Sequence, residues 1–299
     1  MIGVLSDNAL EAWQSAIKDC NFILQGKATL EYRKRFVSDL HNAVELFIKQ
    51  LMINENDYRV VTFRNIDSDG SNMRKYLDSE NLNEYFFQLA EDELKEIRSV
   101  EFSKLKEYSK CLLNDYYNTN PLEVRNVINE GLSVLTALRN SETHFMIDRT
   151  EFLNENEFIK LHNFMIIFYE ILEYYSLMPY FGEAFGEYKI FNFKKERLKN
   201  FSYKKAVAES IFISNLIKIV SDTDIYISES ETAFGIASCI IEQSNGRYTD
   251  DDLTELWIYM KMLLKYNLLE YEIIPDSEYD GYDTMATGGV LRRIRIKQS

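Results

Sequence analysis

Residues 120–145, NPLEVRNVINEGLSVLTALRNSETHF, contain the pattern that decides the fold of this 299-residue chain. Apolar residues recur at three- and four-residue steps from Val124 to Leu138, which is typical of a helix with one buried stripe. The opening Asn-Pro-Leu-Glu, from Asn120 to Glu123, has the spacing of a variant capping box with proline at the first helical position. We therefore expect one long helix packed against a core.

Three polar residues follow this stripe: Arg139, Asn140 and His144. An arginine at the edge of a buried stripe must reach solvent or an anion, because an unpaired buried charge is very costly. A histidine can exchange a proton near neutral pH, and a guanidinium can hold the non-bridging oxygens of a phosphate. Asn140 can orient either group, so the trio suits phosphodiester cleavage. The alternative is an Arg and a His that only bind the last helical carbonyls.

The composition predicts a helix-rich globular protein. Hydrophobic residues make up 46% of the chain, which has only 3 Pro and 11 Gly, and 20 Tyr and 19 Phe predict an aromatic core. The formal charge of −14 argues against a protein that coats nucleic acid over its whole surface. A nuclease is not excluded, because it needs positive charge only locally.

The sequence has no pattern typical of a secreted, membrane-spanning or metal-binding protein. No signal peptide is visible, and the most apolar run, 164–181, is interrupted by two glutamates, so a buried helix is expected rather than a membrane span. Cys20, Cys111 and Cys239 are odd in number and widely spaced, which favours reduced core thiols. We expect a cytoplasmic protein with no membrane partner. No residues have metal-ligand spacing, so we expect no cofactor or metal, and a two-metal nuclease is disfavoured.

Helical periodicity over most of the chain predicts a mainly α fold. Residues 1–182 are expected to form a helical bundle, 183–202 a basic linker, and 203–299 a small helical domain with a two-stranded ribbon that resembles a winged helix. Helices are expected over 7–26, 29–53, 83–90, 92–117, 120–145, 155–177, 203–220, 233–243 and 249–266, and strands over 268–274 and 290–297.

The C-terminal domain is expected to contact protein before nucleic acid. In a winged-helix protein one helix enters a groove of the DNA. The corresponding helix here begins Asp250-Asp251-Asp252, which phosphates would repel. We therefore interpret 203–299 first as a dimerisation or protein-contact module, and second as a nucleic-acid-binding module.

Two local clusters of basic residues are candidate contacts for RNA. The first cluster falls in the expected linker and comprises Lys194, Lys195, Arg197 and Lys199. The second alternates with isoleucine in the last expected strand and comprises Arg293, Arg295 and Lys297. For both clusters the alternative is a solvated face, or a patch that pairs with acids of this same chain.

A further trio, His41, Glu45 and Lys49, shares one face of the second expected helix by its four-residue spacing. The trio could line a site, with Glu45 as a supporting residue for catalysis. The alternative is an exposed stripe of ion pairs.

The pattern Arg139-Asn140-x-x-x-His144 resembles the motif of the HEPN superfamily of ribonucleases, and the resemblance extends over about 1–181. In that family an arginine, usually followed by a polar residue, is separated by a short spacer from a histidine at the end of a core helix. The resemblance implies a metal-independent ribonuclease whose two motifs form one composite site in a homodimer. Family members controlled by tyrosine modification carry Tyr two residues after the histidine, where this chain has Met146.

The expected function is therefore metal-independent RNA cleavage by a bacterial toxin or an anti-phage defence effector. RNA is the expected substrate, and the expected partners are a second copy of the chain and an antitoxin or other defence-system protein. The alternative is a non-catalytic HEPN-like helical module that contacts a nucleotide or a partner protein.

Overall fold

The computed structural model describes residues 4–63, 71–90, 93, 97–143, 152–178, 196–227, 232–273 and 292–297. Over these residues the chain is mainly helical with two small antiparallel sheets, so the mainly α prediction is confirmed. Two compact units are present: Met1–Cys20 with Lys34–Asn200, and Asn21–Arg33 with Phe201–Ser299. The expected domain boundaries stay a prediction.

The first unit contains most of the helices. It begins with α1 (Ser6–Leu24) and α2 (Leu30–Asn54), but the end of α1 and the start of α2 belong to the second unit. The elements that follow are β1 (Val61–Phe63), α3 (Ser71–Leu77), α4 (Leu82–Gln88), β2 (Ile97–Ser99), α5 (Phe102–Leu112), α6 (Asn114–Thr119), α7 (Leu122–Thr143) and α8 (Glu155–Tyr174). Strands β1 and β2 pair antiparallel, with Thr62 opposite Arg98.

Buried aromatic rings fill the centre of the first unit, as the composition predicts. The indole of Trp13 in α1 lies 6.3 Å from the Phe47 ring of α2 and 6.0 Å from the Phe168 ring of α8, measured between centroids. Phe158 of α8 meets Phe36 of α2 edge to face at 5.7 Å. These contacts hold α1, α2 and α8 around one core.

Helices α7 and α8 pack tightly against one another. The expected stripe of α7 is buried from Val124 to Leu138. At Gly131 the ring of Phe164 approaches the backbone of α7 directly. Helix α8 begins with a capping box, in which Asn154 accepts a hydrogen bond from the Glu157 N–H at 3.0 Å and the Glu157 carboxylate accepts one from the Asn154 N–H at 2.9 Å.

The second unit has its own core and a three-stranded sheet. Its further elements are α9 (Tyr203–Ala208), α10 (Ile211–Asp222), β3 (Tyr226–Ile227), α11 (Ala233–Gln243), α12 (Leu253–Lys265), β4 (Leu269–Ile273) and β5 (Arg292–Ile296). The strand order is β3-β5-β4, with both pairings antiparallel. Ile294 of the central strand is fully buried against the apolar sides of the helices.

The turn between α1 and α2 belongs to the second unit. Gly26 has φ +92°, and a Cβ there would lie 2.8 Å from the Ala206 carbonyl oxygen, so a glycine is required by both conformation and space. The Tyr259 hydroxyl donates to the Gln25 carbonyl at 3.2 Å, and Lys27 pairs with Glu255 at 2.6 Å. The sequence did not predict this association.

Several elements differ from the predicted ones because the deciding contacts are not local. The expected helix over 92–117 contains β2, which pairs with β1 from far upstream. The expected helix over 203–220 is divided where Ser210 caps α10, its hydroxyl accepting from the Ile213 N–H at 3.2 Å. The two-residue strand β3 was also missed. Its Tyr226 backbone makes two 2.8 Å hydrogen bonds with the Gln243 side-chain amide.

Two further details correct the sequence analysis. Cys111 is exposed, so it is not a core thiol, whereas Cys20 is buried and Cys239 is partly buried. The Asn120 side-chain amide donates to the Tyr116 carbonyl at 2.8 Å, so this bond serves the end of α6 rather than the start of α7. Helix α7 still begins near the expected place, at Leu122.

Candidate functional site

The candidate active site lies at the C-terminal end of α7. Arg139 and Asn140 follow the buried Leu138 directly, and both residues are exposed. The apolar stripe of α7 fixes that end of the helix, since Leu135 and Leu138 are buried one turn and one residue earlier. A guanidinium and an amide therefore lie in the exposed last turn of this helix, where a dissolved anion can approach them.

His144 is the next residue after α7 ends at Thr143. It lies outside the described residues, as do Lys194 and Lys195 of the linker cluster. The geometry between His144 and the Arg139-Asn140 pair therefore stays a prediction from sequence spacing.

The other two residues of the linker cluster are described. Arg197 forms an ion pair with Glu123 at the start of α7, and Lys199 is exposed. The same segment is attached to α8, because the Asn163 side chain bonds both the N–H of Leu198 at 2.8 Å and its carbonyl at 2.9 Å. Arg197 is thus held at the opposite end of α7 from Arg139, and the cluster does not extend the candidate site along the described chain.

The Glu45 trio forms a largely buried network, not the exposed stripe that was the alternative, although the Glu45 side chain is 24% exposed. Lys49 is 4% exposed, and its ammonium donates to Glu45 Oε1 at 2.5 Å and to Ser99 Oγ of β2 at 2.9 Å. His41 Nδ1 lies 3.7 Å from Glu45 Oε2, and the imidazole ring packs 4.0 Å from the Phe102 ring. This arrangement joins α2 to β2 and α5, so Glu45 has a structural partner of its own.

The arginines of the last strand are paired with acids of the same unit. Arg293 Nε lies 3.2 Å from Asp224 Oδ1, and Arg293 Nη1 lies 3.5 Å from Glu272 Oε2. Arg295 Nη2 contacts the same two carboxylates at 3.5 and 3.7 Å. The alternative interpretation, a basic patch neutralised by this chain's own acids, fits this cluster.

A separate cleft of about 530 Å³ lies beside α3 and α4. Its charged residues are Lys75, Asp78, Glu80, Glu84 and Glu93. Lys75 pairs with Glu93 at 3.5 Å, so the remaining charge is negative, and a phosphodiester would be repelled. This cleft does not compete with the end of α7 as a site for RNA.

Within the described ranges, no three His, Cys, Asp or Glu side chains come together in a group that could hold a metal ion. No helix in this part of the chain combines the length and apolarity needed to cross a membrane.

One surface was missed by the sequence analysis. Phe234 of α11 and Trp257 of α12 are 51% and 39% exposed, and their rings meet edge to face. The position of Trp257 four residues before Lys261 and seven before Leu264 is the signal that could have identified an unburied stripe.

Comparison with known proteins found no matching family model, no matching curated protein and no matching solved structure.

Proposed function

We propose that this chain is a metal-independent endoribonuclease of the HEPN type that acts as a toxin or an anti-phage effector. The observation that carries the proposal is the exposure of Arg139 and Asn140 in the last turn of α7, with His144 directly after the helix in sequence. A site on a packed helix is held more precisely than one on a loop, which favours a catalytic role for this end.

In the proposed reaction the 2′-oxygen of a ribose attacks the adjacent phosphorus, and the bond from phosphorus to the 5′-oxygen breaks. His144 moves one of the two protons, by taking it from the 2′-hydroxyl or by giving it to the leaving 5′-oxygen, and His144 of the second copy or a water molecule moves the other. Arg139 holds the non-bridging oxygens as negative charge develops, and Asn140 orients its neighbours. The products are a 2′,3′-cyclic phosphate and a 5′-hydroxyl.

The proposal includes a homodimer, because one Arg and one His are few groups to hold and cleave a phosphodiester. Two copies about a two-fold axis would bring two motifs into one composite site. Lys194, Lys195 and Lys199 are proposed as additional phosphate contacts, and an antitoxin or another defence-system protein as the regulator.

We further propose that the second unit is a winged-helix-like module that contacts protein. After the short helix α9, its order of helix, strand, two helices and two strands, with the last strand in the middle of the sheet, supports this comparison. The pairing of Arg293 and Arg295 with acids, and the three aspartates before α12, make duplex DNA a poor ligand. The exposed Phe234 and Trp257 also favour the alternative function, a non-catalytic helical module that binds a partner protein.

The deciding experiment is single-turnover cleavage of a mixed RNA pool in EDTA by the wild-type protein and by His144→Ala, with analysis of the product ends. Cleavage by the wild type that yields cyclic phosphate ends and is lost in the variant supports the proposal. Equal rates for the two proteins would contradict it, and the protein-binding alternative would replace it.

A further inference from the structure

Helix α12 and the turn before it carry a stripe of exposed residues at a regular heptad spacing. Asp250, Thr254, Trp257, Lys261 and Leu264 follow one another at steps of four, three, four and three residues. All five lie at or near the surface, and both Trp257 and Leu264 are 39% exposed. Residues at these steps share one face of a helix, and Trp257 and Leu264 are the apolar members of this face.

Phe234 of α11 widens this stripe into an apolar patch. Its ring lies 6.4 Å from the Trp257 ring, edge to face, and the Lys261 ammonium lies 3.8 Å from the centroid of the indole. The rest of α12 is used inside the unit, since Leu256, Tyr259, Met260 and Leu263 are buried. An exposed Trp and Phe in contact, rimmed by charges, is typical of a protein–protein interface.

We propose that this patch, Phe234 with the stripe Asp250 to Leu264, is the contact by which two copies of the chain form a homodimer, with their α12 helices antiparallel about a two-fold axis. The proposal goes beyond the ribonuclease proposal and does not depend on it. It concerns the second unit alone.

The distribution of charges along the stripe indicates that its binding partner is a second copy of the chain. Acids stand at the beginning, Asp250, Asp251 and Asp252, and lysines stand toward the end, Lys261 and Lys265. An antiparallel copy brings the acidic beginning of each helix beside the basic end of the other, and the helix dipoles then also attract. Contacts about a two-fold axis must be self-complementary in this way.

The positions along the helix agree with that pairing. Trp257 is at the middle of the stripe, seven residues from both Asp250 and Leu264. With Trp257 on the axis, Asp250 of the second copy lies about 11 Å along the helix from the axis, level with Leu264, and Lys261 lies about 6 Å from the axis on the same side. The remaining offset of about 5 Å is within the reach of an extended lysine side chain, so each dimer would contain this ion pair twice.

Sedimentation of the full-length protein tests the contact. The wild type should show a reversible monomer–dimer equilibrium, and Trp257→Ala and Phe234→Ala should each weaken it about tenfold or more, as loss of a central aromatic anchor does. Ile211→Ala is the matched control, because Ile211 is an apolar residue of the same unit that is 82% exposed and lies in α10, away from this stripe in sequence. It should leave the equilibrium unchanged.

Charge reversal distinguishes this pairing from a general loss of folding. Lys261→Glu and Asp250→Lys should each weaken the dimer by about tenfold, and the double variant should recover most of the loss because the pair is restored in reversed form. A wild type that stays monomeric at about 100 μM overturns the proposal, since such a contact would be too weak to matter. A dimer that is insensitive to Trp257→Ala, or a double variant with no recovery, also overturns it. A monomeric wild type would also contradict the homodimer of the ribonuclease proposal, whereas a dimer that survives Trp257→Ala contradicts only the contact proposed here.

Discussion

The ring of Phe164 in α8 occupies the space in which a side chain at position 131 of α7 would begin. A Cβ built on Gly131 would lie 2.3 Å from the Cγ and Cδ2 atoms of that ring. Carbon atoms do not approach so closely, and Phe164 is fully buried, so the ring has little room to withdraw. This contact fixes how the helix that carries Arg139 crosses its neighbour.

The first prediction follows from this contact. Gly131→Ala should lower the free energy of unfolding by about 1–3 kcal/mol through overpacking, although alanine gains up to about 1 kcal/mol in helix propensity. Asn126→Ala, at an exposed position of the same helix, should be neutral or slightly stabilising. Urea unfolding of the three proteins measures both effects. A Gly131→Ala protein more stable than the wild type would mean that Phe164 moves aside easily.

The second prediction separates catalysis from stability at the end of α7. Arg139→Ala should lower single-turnover RNA cleavage by about 10²–10³-fold, the usual loss when a preorganised charge stabiliser is removed. Its thermal midpoint should change little, because Arg139 is exposed. Arg125→Ala is the matched control, because Arg125 lies near the start of the same helix, where its guanidinium is 4.8 Å from the Tyr117 ring, and not at the end that carries the proposed site. Equal cleavage by both variants would remove Arg139 from the proposed site.

The local sequence pattern predicted those helices and strands whose end residues can be recognised in the sequence itself. Helix α11 covers the expected 233–243 because Thr232 caps its start, and its hydroxyl accepts from the Gly235 N–H at 3.2 Å. Strands β4 and β5 fall inside the expected ranges, since a basic residue alternates with isoleucine in β5. Strands of two or three residues have no period to detect, so β1, β2 and β3 were not predictable.

Only those features of the candidate site that depend on local residue spacing could be predicted from the sequence. The position of Arg139 after a buried stripe is a local property, and the structure has the residue exposed at the helix end. The four-residue spacing of Glu45 and Lys49 predicted that they share a face, but not that the face is buried. Burial there comes from Ser99 and Phe102, which are about fifty residues away in sequence.

The third prediction concerns that buried pair. Lys49→Ala should lower the free energy of unfolding by about 1–3 kcal/mol, because it leaves the partly buried Glu45 carboxylate without its charged partner. A double variant, Glu45→Leu with Lys49→Met, should recover much of the loss, since neither charge then remains buried. Thermal unfolding at pH 7 measures the set. A small effect of Lys49→Ala would show that water replaces the lost ammonium at Glu45.

The same variants test Glu45 as a supporting residue for RNA cleavage. If Glu45 acts only through folding, the double variant should cleave RNA at nearly the wild-type rate per folded molecule. A loss of about tenfold or more in a fully folded double variant would instead assign Glu45 or Lys49 a role near the reaction. Rates should be normalised to the folded fraction measured at the assay temperature.

The fourth prediction concerns the neutralised arginines of β5. Replacing both acidic partners, Asp224→Asn with Glu272→Gln, should release Arg293 and Arg295 for phosphate binding. The affinity of the full-length protein for random duplex DNA at low salt should rise about tenfold, and the salt dependence should steepen by about one to two phosphate contacts. Fluorescence anisotropy over a series of salt concentrations measures both quantities.

A matched double variant controls for the change in net charge. Glu242→Gln with Asp251→Asn removes two exposed acids of the same unit without releasing either arginine. Its affinity for DNA should change by much less. An equal gain in both double variants would mean that overall charge decides binding, and that the ion pairs with Asp224 and Glu272 do not.

The fifth prediction rests on a buried carboxylate in α1. Asp19 has no exposed surface, and its Oδ1 accepts a hydrogen bond from Arg35 Nη2 at 3.0 Å. Its Oδ2 has no hydrogen-bond partner among the described residues. Burial raises the pKa of Asp19 from 3.8 to about 6, although the positive charge of Arg35 offsets part of the increase.

The raised pKa makes the protein less stable as the pH rises from about 4 to about 6. Over that window the unfolded chain releases the Asp19 proton while the folded protein retains it, so the unfolded state becomes more stable relative to the folded state. The difference of about two units between the pKa of Asp19 in the folded and unfolded states corresponds to a loss of at most about 3 kcal/mol in the free energy of unfolding. Asp19→Asn removes this titration, so the variant should match the wild type near pH 4 and be more stable at pH 7. Glu11→Gln, an exposed change two turns earlier in α1, should leave the pH profile unaltered. Urea unfolding from pH 4 to 7 measures these differences, and a constant gap between the wild type and Asp19→Asn would show that Asp19 is ionised throughout.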